Sequence, residues 1–284
     1  MNRSLFLLWL TISVVLLSCK KEAPPPDLHT PAVNYTNMAY GNDARQVMDI
    51  FLPEGRTIQH TKTIFIIHGG GWTEGDKADM AEAVAYLKKE LPLYAFVNVN
   101  YRLASNGSVN IFPAQEEDIK SAVGFYLNRS GEYLVSEDLV MGGASAGAHL
   151  AMLHSYKNDP GKHVKAVVDF FGPTDLVALW NEGVLQQWAL LGAVGRLYTD
   201  NPDIYVNSSP LNFITNQSPP TIALQGGADF IVIPAQTTSL VNRLIEQGVK
   251  NQLVYYPLES HGWAGANLLD SYNKIIAFIK ENVK

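Results

Sequence analysis

Apolar positions along the chain follow two alternating rhythms. Thr63-Ile64-Phe65-Ile66-Ile67 is an unbroken apolar, β-branched run, the pattern of a strand buried on both faces. Tyr94–Asn100 is a second such run, and Leu139–Met141, Lys165–Phe170, Thr221–Leu224 and Gln252–Tyr256 are shorter ones. Between them the apolar spacing lengthens to that of a helix. Lys77–Glu90 carries Met80, Val84 and Leu87 at helical spacing. Phe112–Asn128 sets Ile119, Val123, Tyr126 and Leu127 on one face, with Pro113 near its start and acids in its first turn. Ala148–Tyr156, Pro234–Gln247 and Ala264–Glu281 read as further helices. Upstream, Tyr35–Tyr40 and Gln46–Leu52 predict an antiparallel pair joined through Gly41-Asn42-Asp43. Strands alternating with helices predict an α/β fold: a mostly parallel, twisted sheet with helices on both faces.

Two stretches stand outside this alternation. Leu176 to Asn216 is longer than a simple crossover and contains Leu179, Trp180, Leu185, Trp188 and Leu191. It predicts a small helical cap inserted over residues 176–216. At the N-terminus, Met1-Asn2-Arg3 is followed by an apolar stretch, Leu5 to Leu17, broken only by Thr11 and Ser13. That is short for a bilayer span and has the length of a signal-peptide core. It ends at Leu16-Leu17-Ser18-Cys19, and Cys19 is the only cysteine, which resembles the lipobox of bacterial lipoproteins. Lys20 to Asp27 is charged and then proline-rich, the composition of an extended tether. The expected organisation is a signal peptide over 1–18, a lipid-anchored tether over 19–32 and one folded domain over 33–284. Such a protein is exported and held at the cell envelope by lipid on Cys19. Lysine rather than aspartate after Cys19 favours the outer membrane.

Composition narrows the partners. Apolar residues make up 47% of the chain and charged ones 17%, enough for a substantial core. The net charge is −6, and losing the arginine in residues 1–18 takes it to −7. That balance argues against nucleic acid or an anionic substrate as the main partner. There is no His-x-x-x-His and no carboxylate cluster at ligand spacing, so neither metal nor cofactor is expected.

The chemistry gathers at strand ends. Gly143-Ala144-Ser145-Ala146-Gly147 follows a strand and precedes a helix, the strand–turn–helix setting that raises a serine hydroxyl above a sheet. Its small neighbours suit a strained serine backbone with chain passing close by. The strand ending at Ile67 leads into His68-Gly69-Gly70-Gly71-Trp72, where glycines can turn N–H groups toward an oxyanion. His68 precedes the serine and reads as a loop organiser. Serine needs a base, and the base needs an orienting carboxylate. His149 and His154 lie on the helix after Ser145 and read as structural, and His163 sits in a polar loop. His261, directly after the last strand, is the candidate base. Asp229 in Gln225-Gly226-Gly227-Ala228-Asp229 is the candidate acid, with Asp175 as its competitor one strand earlier.

Together with Met48–Pro53, Asn100-Tyr101-Arg102-Leu103 and His261-Gly262-Trp263, these segments make the chain resemble the α/β-hydrolase esterases of the hormone-sensitive-lipase and acetylxylan/feruloyl esterase type. The likeness runs from about Asp49 to the C-terminus. It implies a triad of Ser145, Asp229 and His261, an oxyanion hole from the N–H groups of Gly70, Gly71 and Ala146, and scaffold roles for Arg102 and Asp118. It implies hydrolysis of short acyl esters, acetyl or feruloyl groups on carbohydrate, through an acyl-enzyme. Trp72, Trp180, Trp188 and Trp263 are then candidates for a sugar- or aryl-stacking wall, with core and cap packing as the competing role. Alternatives are an amide hydrolase of the kynurenine-formamidase kind, a lipase on short-chain lipids, and a silent surface-binding protein on the same fold.

Overall fold

The computed structural model describes residues 30–105 and 107–284; the expected signal peptide, Cys19 and nearly all of the expected tether lie outside the described residues. The described chain opens with β1 (Val33–Ala39) and β2 (Val47–Leu52), then β3 (Thr63–Ile67). A 3-10 turn at Lys77–Met80 precedes α1 (Ala81–Glu90), and β4 (Ala95–Val99), α2 (Ala114–Leu127) and α3 (Ser130–Tyr133) follow. Next come β5 (Leu139–Ala144), α4 (Ala146–Lys157) and β6 (Val164–Phe170). The cap region contributes α5 (Leu176–Glu182), α6 (Val184–Val194), α7 (Pro202–Asn207) and a 3-10 turn at Pro210–Phe213. The chain closes with β7 (Thr221–Gly226), α8 (Pro234–Glu246), β8 (Asn251–Tyr256) and α9 (Gly265–Asn282).

The strands form one eight-stranded sheet in the order β1-β2-β4-β3-β5-β6-β7-β8. β1 and β2 pair antiparallel, β2 meets β4 antiparallel, and every pairing from β4 to β8 is parallel. Alternation along each strand divides the core in two. Phe65, Ile67, Val97, Met141 and Val167 face the side covered by α2, α4, α8 and the cap helices. Ile64, Ile66, Phe96, Val140 and Val168 face the side covered by α1 and α9. The continuous apolar runs of β3 and β4 are thus explained by two dry faces.

Local chemistry moved several boundaries from their expected places. Residues 77–80 are a 3-10 turn because Asp76 caps it reciprocally: its carboxylate accepts from Ala78 N–H while Asp79 accepts from Asp76 N–H. β5 runs on to Ala144, through two glycines that bring no apolar signal yet pair with β3 and β6. The short α3 has too few residues to show a period.

Between β6 and β7 the cap lies against the body. α6 buries Gln186, Leu190, Ala193 and Val194 and leaves Val184, Leu185 and Trp188 exposed. At its N-terminal end, Gln186 Nε2 donates to the carbonyls of Phe230 (2.8 Å) and Ile231 (3.1 Å), beside Asp229. Toward its C-terminal end, Gly192 lies against Thr73 of the glycine loop, and Phe112 N–H donates to Ala193 O at 2.8 Å. The helix therefore spans from the acid loop to the glycine loop. Arg102 and Asp118 take the scaffold role expected of them: the guanidinium forks onto the fully buried carboxylate at 2.6–3.0 Å and binds α2 to the chain leaving β4.

Candidate active site

Ser145 sits at the sharp turn between β5 and α4 with φ 52° and ψ −121°, a backbone that a non-glycine residue adopts only when its surroundings impose it. The surroundings are the end of β3. A methyl group on Gly147 would overlap the carbonyl oxygens of Ile67 and His68, and one on Gly143 would stand 2.5 Å from Ile67 O. Only glycines let strand and helix pass that closely, so the turn is tight and the hydroxyl stands at its apex.

The loops after β7 and β8 bring the other two groups in. His261 Nε2 lies 2.9 Å from Ser145 Oγ, and its Nδ1 lies 2.8 Å from Asp229 Oδ2. Asp229 is fully committed to this post. Its Oδ1 accepts from Ile231 N–H (2.9 Å) and Val232 N–H (3.0 Å), and Gln225 Nε2 donates to Oδ2 at 3.3 Å. These bonds hold the carboxylate against His261 Nδ1, the arrangement in which Nδ1 carries the ring proton and Nε2 is left to accept one from the serine. The competitor, Asp175, is turned away. Its Oδ1 accepts from Val177 N–H (2.9 Å) and Ala178 N–H (3.0 Å), as the N-cap of α5.

The glycine loop lies alongside. Gly69 approaches Ser145 closely enough that a methyl there would stand 3.4 Å from the serine Cβ. Gly70, Gly71 and Trp72 all have positive φ, at 102°, 56° and 61°. Among the described residues, no acceptor engages the N–H groups of Gly70, Gly71 or Ala146. The three expected donors thus keep their N–H groups unspent, two of them on the loop that approaches the serine through Gly69. His68 is an organiser, as read: its Nδ1 bonds Gly69 O at 2.7 Å, and the ring stacks on Tyr101 at 4.3 Å. Burial pushes its pKa below the usual imidazole value.

The four tryptophans separate. Trp72 is 3% exposed and donates to His149, and Trp180 is buried edge-on against Tyr205. Trp263 packs on Phe170, Phe171 and Tyr256 with its Nε1 donating to Ser271. The expectation of a four-tryptophan wall is corrected: Trp72 and Trp180 are packing residues with buried rings, and Trp263, half-buried, spends its N–H on Ser271. Trp188 alone stays open, at 71% exposure.

Other neighbours carried no sequence signal. Phe171, at φ 46°, sets its ring 4.7 Å from the His261 ring, and Gln225 reaches the acid from within β7. Phe230, 64% exposed, directly follows Asp229 on the rim. An aromatic after an acid, or a glutamine in a strand, is too common for spacing alone to single out.

Beneath the turn lies an unusual charge. Asp169, opposite Gly143 in the β5–β6 register, is fully buried; Oδ1 accepts from Gly172 N–H at 2.7 Å and Oδ2 has no partner. Desolvation raises its carboxyl to about 7, against the lowering effect of the Gly172 bond. Between pH 4 and 7 the folded chain therefore binds a proton that the unfolded chain does not, and stability falls as pH rises through that window. Asp169→Asn, which carries no charge, should gain on the native chain by about 2–3 kcal/mol between pH 5 and pH 8. Urea unfolding at the two pH values measures this, and an unchanged gap would refute it.

Comparisons with known proteins give the chain's relatives. The BD-FAE family model matches residues 48–244. Esterase LipC of Mycobacterium tuberculosis is 24% identical over 260 residues, covering 85% of this chain and 62% of that protein. The chain spans 47–62% of the length of the three mycobacterial esterases it matches. Among solved structures, a bifunctional GH43-CE protein of Bacteroides eggerthii superposes with TM-score 0.75 at 24% identity, over 88% of this chain and 38% of that one. A truncated carbohydrate esterase from gut microbiota superposes with TM-score 0.74 at 24% identity, over 90% of this chain and 98% of that one. The fold is that of the α/β hydrolases, and the chain belongs to the BD-FAE family.

Proposed function

We propose that this protein is a serine carboxylesterase that removes short acyl groups, acetyl or feruloyl, from carbohydrate. The observation that carries the reading is the unbroken relay from Ser145 Oγ through His261 to Asp229, at 2.9 and 2.8 Å, beside unspent backbone donors. His261 takes the Ser145 proton as the hydroxyl attacks the ester carbonyl, and Asp229 stabilises the imidazolium. The N–H groups of Gly70, Gly71 and Ala146 receive the developing oxyanion. The alcohol leaves with the proton from His261, an acyl-serine remains, and water repeats the sequence to release the acid.

Support for the carbohydrate side comes from the rim and from the likeness to carbohydrate esterases. Phe230 on the acid loop and Trp188 on α6, the helix whose Gln186 bonds Phe230 O, are exposed aromatics. Flat apolar rings of this kind suit the faces of sugars and ferulate. The test is a panel of nitrophenyl esters from acetate to decanoate, acetylated xylan and methyl ferulate, assayed with the chain lacking residues 1–22. Acetate release from xylan is expected. Trp188→Ala should raise KM for xylan or ferulate by about 3- to 10-fold and leave nitrophenyl acetate unchanged. A folded protein that turns over no ester would sink the reading.

The apolar leader ending at Cys19 extends the proposal to an exported enzyme tethered by lipid. The full-length chain should then partition into detergent, and Cys19→Ser should abolish that partitioning.

A further inference from the structure

His149 is fully buried on α4, one turn beyond Ser145, and its N–H donates to Ser145 O at 3.0 Å. Its ring is spoken for at both nitrogens. Trp72 Nε1 stands 3.3 Å from Nδ1, and Nε2 stands 2.7 Å from Ser208 O. An indole N–H only donates and a carbonyl only accepts, so one neutral tautomer satisfies both: Nδ1 bare, Nε2 protonated. The Trp72 and Phe112 rings meet the imidazole edge-on, at 5.0 and 5.7 Å.

The partner on Nδ1 makes this more than core packing. Trp72 ends a run of three residues with positive φ, and it is the one that is not glycine. Such a run relaxes unless contacts hold it. Its backbone ties are Thr73 N–H and Glu74 N–H to Gly70 O (3.0 Å each) and Ala104 N–H to Trp72 O (2.9 Å). Among the described residues, the only side-chain hydrogen bond from the Gly70–Trp72 run is the indole to His149. His149 thereby couples the loop carrying the Gly70 and Gly71 donors to the helix whose first residue, Ala146, carries the third.

We propose that His149 is a positioning residue for ester hydrolysis: by accepting from Trp72 it registers the glycine loop against α4, so that the two halves of the oxyanion hole converge on one point. The assignment rests on the esterase reading above. Because the hole acts on the transition state, the effect belongs in kcat rather than KM.

Two substitutions separate the ring's two bonds. Asparagine can set an acceptor near the Nδ1 position but cannot reach Ser208; glutamine can keep a donor near the Nε2 position but offers Trp72 no acceptor. On nitrophenyl acetate, His149→Gln should lower kcat by about 10- to 100-fold with KM within about threefold. His149→Asn should hold kcat near the native value while lowering the melting temperature. Trp72→Phe, which deletes the donor, should repeat the kcat loss of His149→Gln, and the double variant should be no slower than the slower single one. If His149→Gln does not fold, Trp72→Phe set against His149→Asn carries the same comparison. Equal kcat losses for Asn and Gln, or a loss of stability with kcat intact in both, would overturn the assignment and leave the esterase reading standing. A folded native protein without esterase activity would overturn both.

Discussion

Ser145→Ala lowers kcat/KM toward nitrophenyl acetate by about four to six orders of magnitude, the cost of removing a nucleophile whose base and acid are already in place. The loss is expected to fall on kcat. Alanine retains the β-carbon that the turn accommodates, so the φ of 52° is no more strained than in the native chain. The mutant should melt at the same temperature within a few degrees. It should still bind ester, because the glycine loop, Ala146 N–H and the rim are untouched. Residual hydrolysis above the uncatalysed rate would come from the oxyanion donors alone. A mutant that keeps a tenth of native activity would mean that another group attacks the ester and that the relay through His261 is incidental.

How much of this was legible beforehand depended on whether a feature leaves a periodic or spaced trace. β3 and β4 were readable because two dry faces demand unbroken apolar runs, and α8 and α9 because each turns one apolar stripe to the sheet. The serine turn announced itself because close passage against Ile67 allows only glycine at two fixed offsets. That constraint is steric, so it is written in composition. The tryptophans could not be sorted the same way. A Trp in a pattern states that a large ring needs a neighbour; whether the neighbour is substrate or Tyr205 is decided by long-range packing. His149 was read as structural, and its burial agrees, yet its link to Trp72 joins residues 77 positions apart and leaves no local signal. Asp169 illustrates the same limit from the other side. An aspartate ending an apolar strand looks solvent-facing, and only the fold reveals the buried, half-satisfied carboxylate.

The choice between Asp229 and Asp175 is open to a direct test, and the two asparagine variants should behave very differently. In Asp229→Asn the side-chain oxygen can still accept from Ile231 and Val232 N–H, so the loop should keep its shape. The amide nitrogen then faces His261 Nδ1 and donates where the carboxylate accepted. The ring must answer by presenting a bare Nδ1, which moves its proton to Nε2, against Ser145 Oγ. A protonated Nε2 cannot accept the serine proton, and no fixed charge remains to stabilise an imidazolium. The expected fall in kcat is about 10³- to 10⁴-fold at neutral pH, with KM little changed. Asp175→Asn exchanges one good N-cap residue for another and should leave kcat within about twofold. Asp175→Ala should lower stability by about 1 kcal/mol, the cost of a lost cap, again without touching kcat. Steady-state kinetics and urea unfolding on the three variants would decide the matter. Should Asp175→Asn be the slow enzyme, the hydrogen bond from His261 to Asp229 is a bystander and the acid acts from the cap side of the sheet. Should Asp229→Asn alone be slow, with its fold intact, proton acceptance by His261 depends on that 2.8 Å contact.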